Sequence, residues 1–178
     1  MWIRALLTGG LLALCGCGPT TTERLGLPPL ETVASVDLGR YQGVWYEIAS
    51  FPQRFQEGCE GTTANYQPGE GGAIVVLNRC WKEGFDGSVT EATGRARVVN
   101  AETNAELEVS FFGPFWGDYW VIDLGEDYEY AVVGHPGRDY LWILSRTAHL
   151  EPEVYKAILE RLTAKGYELD RLVETVQP

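Results

Sequence analysis

From Trp45 onward, short stretches in which every second residue is apolar alternate with clusters of Gly, Pro, Asn and Asp. That is the signature of half-buried strands joined by turns. The clearest case places Leu107, Val109 and Phe111 against Glu106, Glu108 and Ser110. Eight strands are predicted: 45–51, 62–67, 73–81, 90–99, 105–112, 119–123, 130–134 and 140–146. The loops between them carry turn chemistry, as in Pro68-Gly69-Glu70-Gly71-Gly72 and His135-Pro136-Gly137-Arg138-Asp139. The run Ile74-Val75-Val76-Leu77 is apolar on both faces, so we expect a helix to cover it outside while it faces an interior inside. One helix is predicted. After Glu151-Pro152, Val154, Ile158 and Leu162 recur every fourth residue, and Gly166 supplies the stop. A last extended piece, 172–176, is placed to pair with the sheet. The pattern predicts an all-β fold, an eight-stranded up-and-down antiparallel β-barrel with one helix packed on it towards the C-terminus. Such a barrel encloses room for one small ligand. A sandwich, the alternative for this many strands, gives the lone late helix no role.

The N-terminus is organised differently. Arg4 precedes an apolar run from Ala5 to Leu14. That run is too short to span a bilayer, which takes about 20 residues, and it fits a secretory signal. The end of the run, Leu14-Cys15-Gly16-Cys17, resembles the lipobox of bacterial lipoproteins, in which a small residue precedes the Cys that receives lipid. Gly16 before Cys17 satisfies that rule and Leu14 before Cys15 does not. The expected organisation is a signal peptide at 1–16, a lipidated N-terminus and Thr/Pro-rich tether at 17–37, and one domain at 38–178. The rival reading is a soluble secreted protein with an incidental Cys.

With Cys15 removed and Cys17 acylated, Cys59 and Cys80 remain, an even pair in an oxidising compartment. Folding 61–67 against 73–79 about the Pro68–Gly72 turn brings them nearly opposite. Cross-strand neighbours lie about 5 Å apart, within the reach of a disulfide. A metal site is the competing reading, but no further Cys or His stands at ligand spacing. No metal or cofactor is expected.

The formal charge is −11 over 178 residues, and residues 1–16 contain one charge, Arg4, so their removal takes it to −12. Nucleic acid is therefore not an expected partner. Attraction to anionic headgroups is not expected either, and attachment to a membrane has to come through N-terminal acyl chains.

Three blocks then carry a resemblance. Gly43-Val44-Trp45-Tyr46-Glu47-Ile48-Ala49 contains Gly-x-Trp, and Asp127-Tyr128-Glu129-Tyr130 follows a turn in which Glu126 stands where Thr is usual. Asp139-Tyr140-Leu141-Trp142-Ile143-Leu144-Ser145-Arg146-Thr147 ends on a late-strand Arg. In order, these resemble the three motifs of the lipocalins, and together with Val109–Phe115 they resemble the bacterial outer-membrane branch of that family. The resemblance implies that Gly43, Trp45 and Arg146 close one end of the barrel. Physically, guanidinium stacks well on an indole face. It also implies non-covalent binding of fatty acids, lysophospholipids or similar amphiphiles, on a chain lipid-anchored in the outer membrane at its periplasmic face.

The residue pattern agrees with a hydrophobic binder. Aromatics fall where loops would ring a mouth: Phe51 and Phe55 before the second strand, and Phe111, Phe112, Phe115, Trp116 and Tyr119 around the fifth and sixth. Pockets are mostly apolar with few polar groups to orient the ligand. The expected ligand contacts are Arg54, Phe55, Tyr66, Phe111, Trp116, Tyr119 and Trp142, with Arg54 the cation at the rim that a carboxylate would need. Catalysis finds little support. The two histidines, His135 and His149, sit in a turn and before the helix, and no nucleophile elbow or His-Glu-x-x-His occurs. Two alternatives stand beside the carrier. Some lipocalins are isomerases using a cavity thiol, which would require Cys59 and Cys80 reduced; the other alternative is an envelope lipoprotein acting only through protein contacts. The sequence suits a homodimer as well as a monomer.

Overall fold

The structure, a computed structural model, describes residues 26–178. The signal-peptide reading, Cys15, Cys17 and the start of the tether lie outside the described residues. Eight strands form the barrel in chain order: β1 (Gly43–Ser50), β2 (Cys59–Pro68), β3 (Ile74–Lys82), β4 (Ser88–Val98), β5 (Glu106–Ser110), β6 (Gly117–Leu124), β7 (Tyr130–Gly134) and β8 (Leu141–Ser145). Each pairs antiparallel with the next, and β1 pairs with both β2 and β8, so the sheet closes with no free edge. A four-residue helix α1 (Leu38–Tyr41) leads into β1. The long helix α2 (Pro152–Ala164) follows β8. A two-residue strand β9 (Val173–Glu174) pairs with β1 at Ala49 and Ser50.

The connections alternate between two ends. Loops 51–58, 83–87, 111–116 and 135–140 lie at one, the mouth. Turns 69–73, 99–105 and 125–129, with α1, lie at the other. Two β-bulges decide which side chains look inward. Between Glu47 and Ala49 the β1–β8 register slips by one residue. Trp45 and Glu47 consequently face the interior, while Ala49 and Phe51 face α2. The β6–β7 register slips likewise between Val121 and Asp123. That puts Ile122 under the helix and lets Asp123 bind Arg161 of α2 at 2.6 Å. An extra residue in a strand flips every side chain beyond it.

These slips correct two expectations. Phe51 does not ring the mouth; it is fully buried in the outer cluster, against Tyr167. The helix does not cover Ile74–Leu77 either. Its buried residues Ile158 and Leu162 pack with Ile122, Val132, Leu141 and Ile143, the outward faces of β6, β7 and β8. The segment read as tether is docked where it is described. Leu30 and Val36 are buried, Val33 N–H donates to Val121 O, and Val36 N–H donates to Thr103 O.

Cys59 and Cys80 form a disulfide with their Cα atoms 5.4 Å apart. The β2–β3 ladder pairs Cys59 with Lys82, and a bulge between Glu60 and Thr63 shifts the strand so that Cys80 comes within reach. Among the described residues, no helix is long and apolar enough to cross a membrane.

Candidate functional site

At the closed end, Trp45 has no exposed surface. Its Nε1–H donates to Tyr41 O at 2.8 Å, and the Tyr41 ring lies 5.0 Å from it. The Arg146 guanidinium carbon sits 3.7 Å from the indole centroid. Arg146 also donates to Val44 O at 3.0 Å and Arg40 O at 2.6 Å, tying β8 to the start of β1 and the end of α1. Gly43 has φ +94°, and a Cβ there would sit 3.4 Å from an Arg146 nitrogen. Glycine is therefore favoured twice, by its backbone angle and by the arginine above it. The turn at Tyr128 completes the cap. Its hydroxyl accepts from Asp37 N–H, and Arg40 lies over its ring at 4.1 Å.

Above the plug lies a layer of three buried tyrosines. Tyr119 Oη is 2.7 Å from Tyr41 Oη and 2.8 Å from Tyr66 Oη. Three hydroxyls share two hydrogen bonds, so one proton of the three has no acceptor within the trio. Tyr66 and Tyr119 form the floor of the cavity. Burial pushes the Tyr66 hydroxyl up to about 12 and lifts Tyr41 and Tyr119 well above their ordinary value. Below pH 10 all three are protonated in the folded and unfolded chain alike. Above it the unfolded chain releases protons that the folded chain keeps, so stability falls as pH rises. The expected loss is about 1.4 kcal/mol per pH unit for each such tyrosine, running from pH 10 to about 12 for Tyr66. Denaturant titrations across that window should give a shallower slope for Tyr66→Phe; an unchanged slope would contradict this account.

The cavity itself measures about 360 Å³ and opens at the mouth. Its walls are largely apolar, with Ala64, Val76, Val109, Phe111, Trp142 and Leu144 contributing from β2, β3, β5 and β8 and the loop after β5. Phe111 lies flat on β4 because residue 94 is Gly; a Cβ there would meet its ring at 2.8 Å. The polar lining gathers on one side. Glu47 is buried and accepts from Ser50 Oγ at 3.1 Å, Gln56 Nε2 at 2.7 Å and Thr175 Oγ1 at 2.6 Å. Gln177 Nε2 donates to the backbone oxygens of Glu47 and Thr62, so the C-terminal segment laces β1 to β2. Thr62 Oγ1 and Asn78 Oδ1 are buried without a hydrogen-bond partner. At the mouth His135 faces Asp118 at 3.4 Å, with its Nδ1 accepting from Gly137 N–H.

Five of the seven expected contacts line this cavity: Phe55, Tyr66, Phe111, Tyr119 and Trp142. Tyr119 does so from the floor and not the rim. Two others do not. Arg54 lies exposed in the short turn Arg54–Gln56 and is not part of the lining. Trp116 is carried over the rim onto the outside of the barrel, where Arg97 covers its ring at 4.2 Å. No Lys or Arg lines the cavity among the described residues. Sequence reasoning missed Glu47, Gln56, Thr62 and Asn78. Alternation from Trp45 could have found Glu47, two residues on and on the same face. No His/Cys/Asp/Glu cluster suited to a metal occurs among the described residues.

The lipocalin-like domain family matches residues 36–177. The chain belongs to the lipocalin family. It is 41% identical over 156 residues to temperature-induced lipocalin-1 of Arabidopsis thaliana, covering 83% of each chain. It is 39% identical over 176 residues to the outer membrane lipoprotein Blc of Escherichia coli, covering 98% of this chain and 95% of that one. Among solved structures, insecticyanin of the tobacco hornworm Manduca sexta superposes with a TM-score of 0.68 at 22% identity, covering 85% and 86% of the two chains. That last likeness concerns the fold. Gly43, Trp45, Tyr128 and Arg146, the residues quoted from the three motifs, all stand at the closed end.

Proposed function

We propose that this lipocalin is a membrane-anchored carrier that binds fatty acids, lysophospholipids or similar single-chain amphiphiles in the bacterial envelope. The observation that carries the reading is the cavity, about 360 Å³ of largely apolar space with a sealed floor and one mouth. Its size falls within the usual range of ligand pockets, about 300–1,000 Å³. An acyl tail gains roughly 0.8 kcal/mol for each methylene it buries, and the polar groups near the mouth orient a head. The similarity to an outer membrane lipoprotein over 98% of the chain supports an acyl anchor on Cys17 and placement at the periplasmic face of the outer membrane. Binding and not catalysis is the reading that the disulfide favours, since it leaves neither Cys59 nor Cys80 as a thiol.

The test is native mass spectrometry of protein purified without detergent, followed by lipid extraction. A co-purifying single-chain lipid at one per chain is expected, together with an N-terminal peptide carrying acyl mass on Cys17. An empty cavity that takes up none of the offered amphiphiles would overturn the carrier reading, and processing that survives Cys17→Ser would overturn the anchor.

A further inference from the structure

The described chain begins at the mouth. Leu27 lies against Gly166, just beyond the end of α2. Arg138, in the mouth loop 135–140, donates to Pro28 O at 2.8 Å and to Lys165 O at 2.6 Å. From there the strap runs down the barrel: Val33 pairs with Val121 midway along β6, Val36 meets Thr103, and Asp37 meets Tyr128 at the closed end. Residue 26 therefore stands at the open end of the cup, although β1 starts at the closed end.

The mouth is also where large apolar side chains are left in solvent. Phe55 is 64% exposed, Phe112 75% and Phe115 78%. They belong to two mouth loops, and two of the residues are continuous with the cavity. Phe55 itself lines it, and Phe111, the neighbour of Phe112, turns inward. Apolar side chains thus stand on the rim and, beside it, in the lumen. The closed end presents no comparable cluster among the described residues, where the turn 99–105 is Asn, Ala, Glu and Thr around a single exposed Val99.

We propose that this lipocalin stands mouth-down on its membrane, with the rim phenylalanines seated in the lipid surface, so that an amphiphile passes between bilayer and cavity without crossing water. This rests on the anchor and carrier reading above. Eight residues lie between Cys17 and residue 26, so nine Cα-to-Cα steps join them. Fully extended they reach about 30 Å. Strands of 8–11 residues tilted by 35–45° stand about 20–30 Å tall. Placing the closed end on the membrane would use most of that length to descend the wall and leave little to pass beneath the cap. Charge selects the kind of surface. The chain carries −11, and Glu57, Glu83 and Asp86 lie in mouth loops, so the contact is apolar and suits a zwitterionic lipid face over an anionic one.

The test uses the acylated full-length protein reconstituted in zwitterionic vesicles, with acyl mass on Cys17 verified. An environment-sensitive fluorophore is attached at Phe115→Cys on the rim or at Glu102→Cys at the closed end; the native disulfide does not react. The rim label should be blue-shifted and quenched by nitroxide lipids, and the closed-end label by neither. Equal quenching, the reverse pattern, or a chain without acyl mass overturns the proposal. A second arm follows a fluorescent fatty acid. Phe112→Ser with Phe115→Ser should keep its equilibrium affinity in solution within about twofold while slowing its transfer from vesicles by about tenfold or more. Unchanged transfer overturns the proposal. Failure of the fatty acid to bind at all strikes the carrier reading instead, and the label positions still report the orientation.

Discussion

Trp45→Ala is expected to lower the unfolding free energy by about 3–5 kcal/mol, the range for deleting a large buried aromatic that leaves a cavity behind. For a chain of this size that corresponds to a fall in melting temperature of about 10 °C or more. The loss has three parts. The indole is fully buried, its Nε1–H satisfies Tyr41 O, and its outer face holds the Arg146 guanidinium. Arg146 would keep its bonds to Val44 O and Arg40 O but lose the surface that positions them. Arg146→Lys is the informative companion. It preserves charge, yet an ammonium can neither stack flat on the ring nor serve two carbonyls from one plane. A loss in Arg146→Lys well short of that in Trp45→Ala, with Trp45→Ala itself substantial, fits a plug with a lid. A melting temperature unmoved by Trp45→Ala would remove the plug from the account.

That pair was legible through the resemblance of its blocks to the lipocalin motifs, with guanidinium stacking on indole as the physical reason. The strands and the helix were legible for a different reason. Alternation at every second residue and recurrence at every fourth survive any tertiary arrangement, and Tyr130–Gly134 and the helix from Pro152 emerge as read. What the periodicity could not supply was the phase. A bulge adds one residue without any mark in composition. The bulge in β1 moves Phe51 from the expected mouth to the space under α2, and the bulge in β6 turns Asp123 outward to meet Arg161. Loops were harder still. Trp116 follows four exposed residues, and nothing local distinguishes a ring folded over the lumen from one folded onto Arg97. The polar side of the cavity was hidden differently. Glu47, Thr62 and Asn78 come from three strands, and only the register that sets Tyr46 opposite Thr63 and Ala64 opposite Asn78 brings them to one face.

Ala64→Trp is expected to weaken binding of a long-chain amphiphile by about 100-fold or more while leaving the fold intact. Ala64 stands on β2 opposite Trp45 and Asn78, and it lines the cavity between the tyrosine floor and the mouth. Ala64 lines the cavity, so an indole placed there has the lumen to extend into. The overpacking penalty that accompanies enlargement in a filled core is therefore small, and the melting temperature should hold or rise. The ligand bears the consequence. A tail denied about four methylenes of depth loses roughly 3 kcal/mol at 0.8 kcal/mol for each, and every 1.4 kcal/mol is tenfold in affinity. Titration by quenching of intrinsic tryptophan fluorescence would be confounded by the new indole, so calorimetry with lysophosphatidylcholine and with a fatty acid of equal chain length is the appropriate readout. Two chain lengths separate the causes. If the tail lies along the barrel, shortening it by about four carbons should cost the wild type what the indole costs it, and should cost Ala64→Trp little more. Binding of the long chain with undiminished affinity in a folded Ala64→Trp protein would place the acyl site outside the barrel.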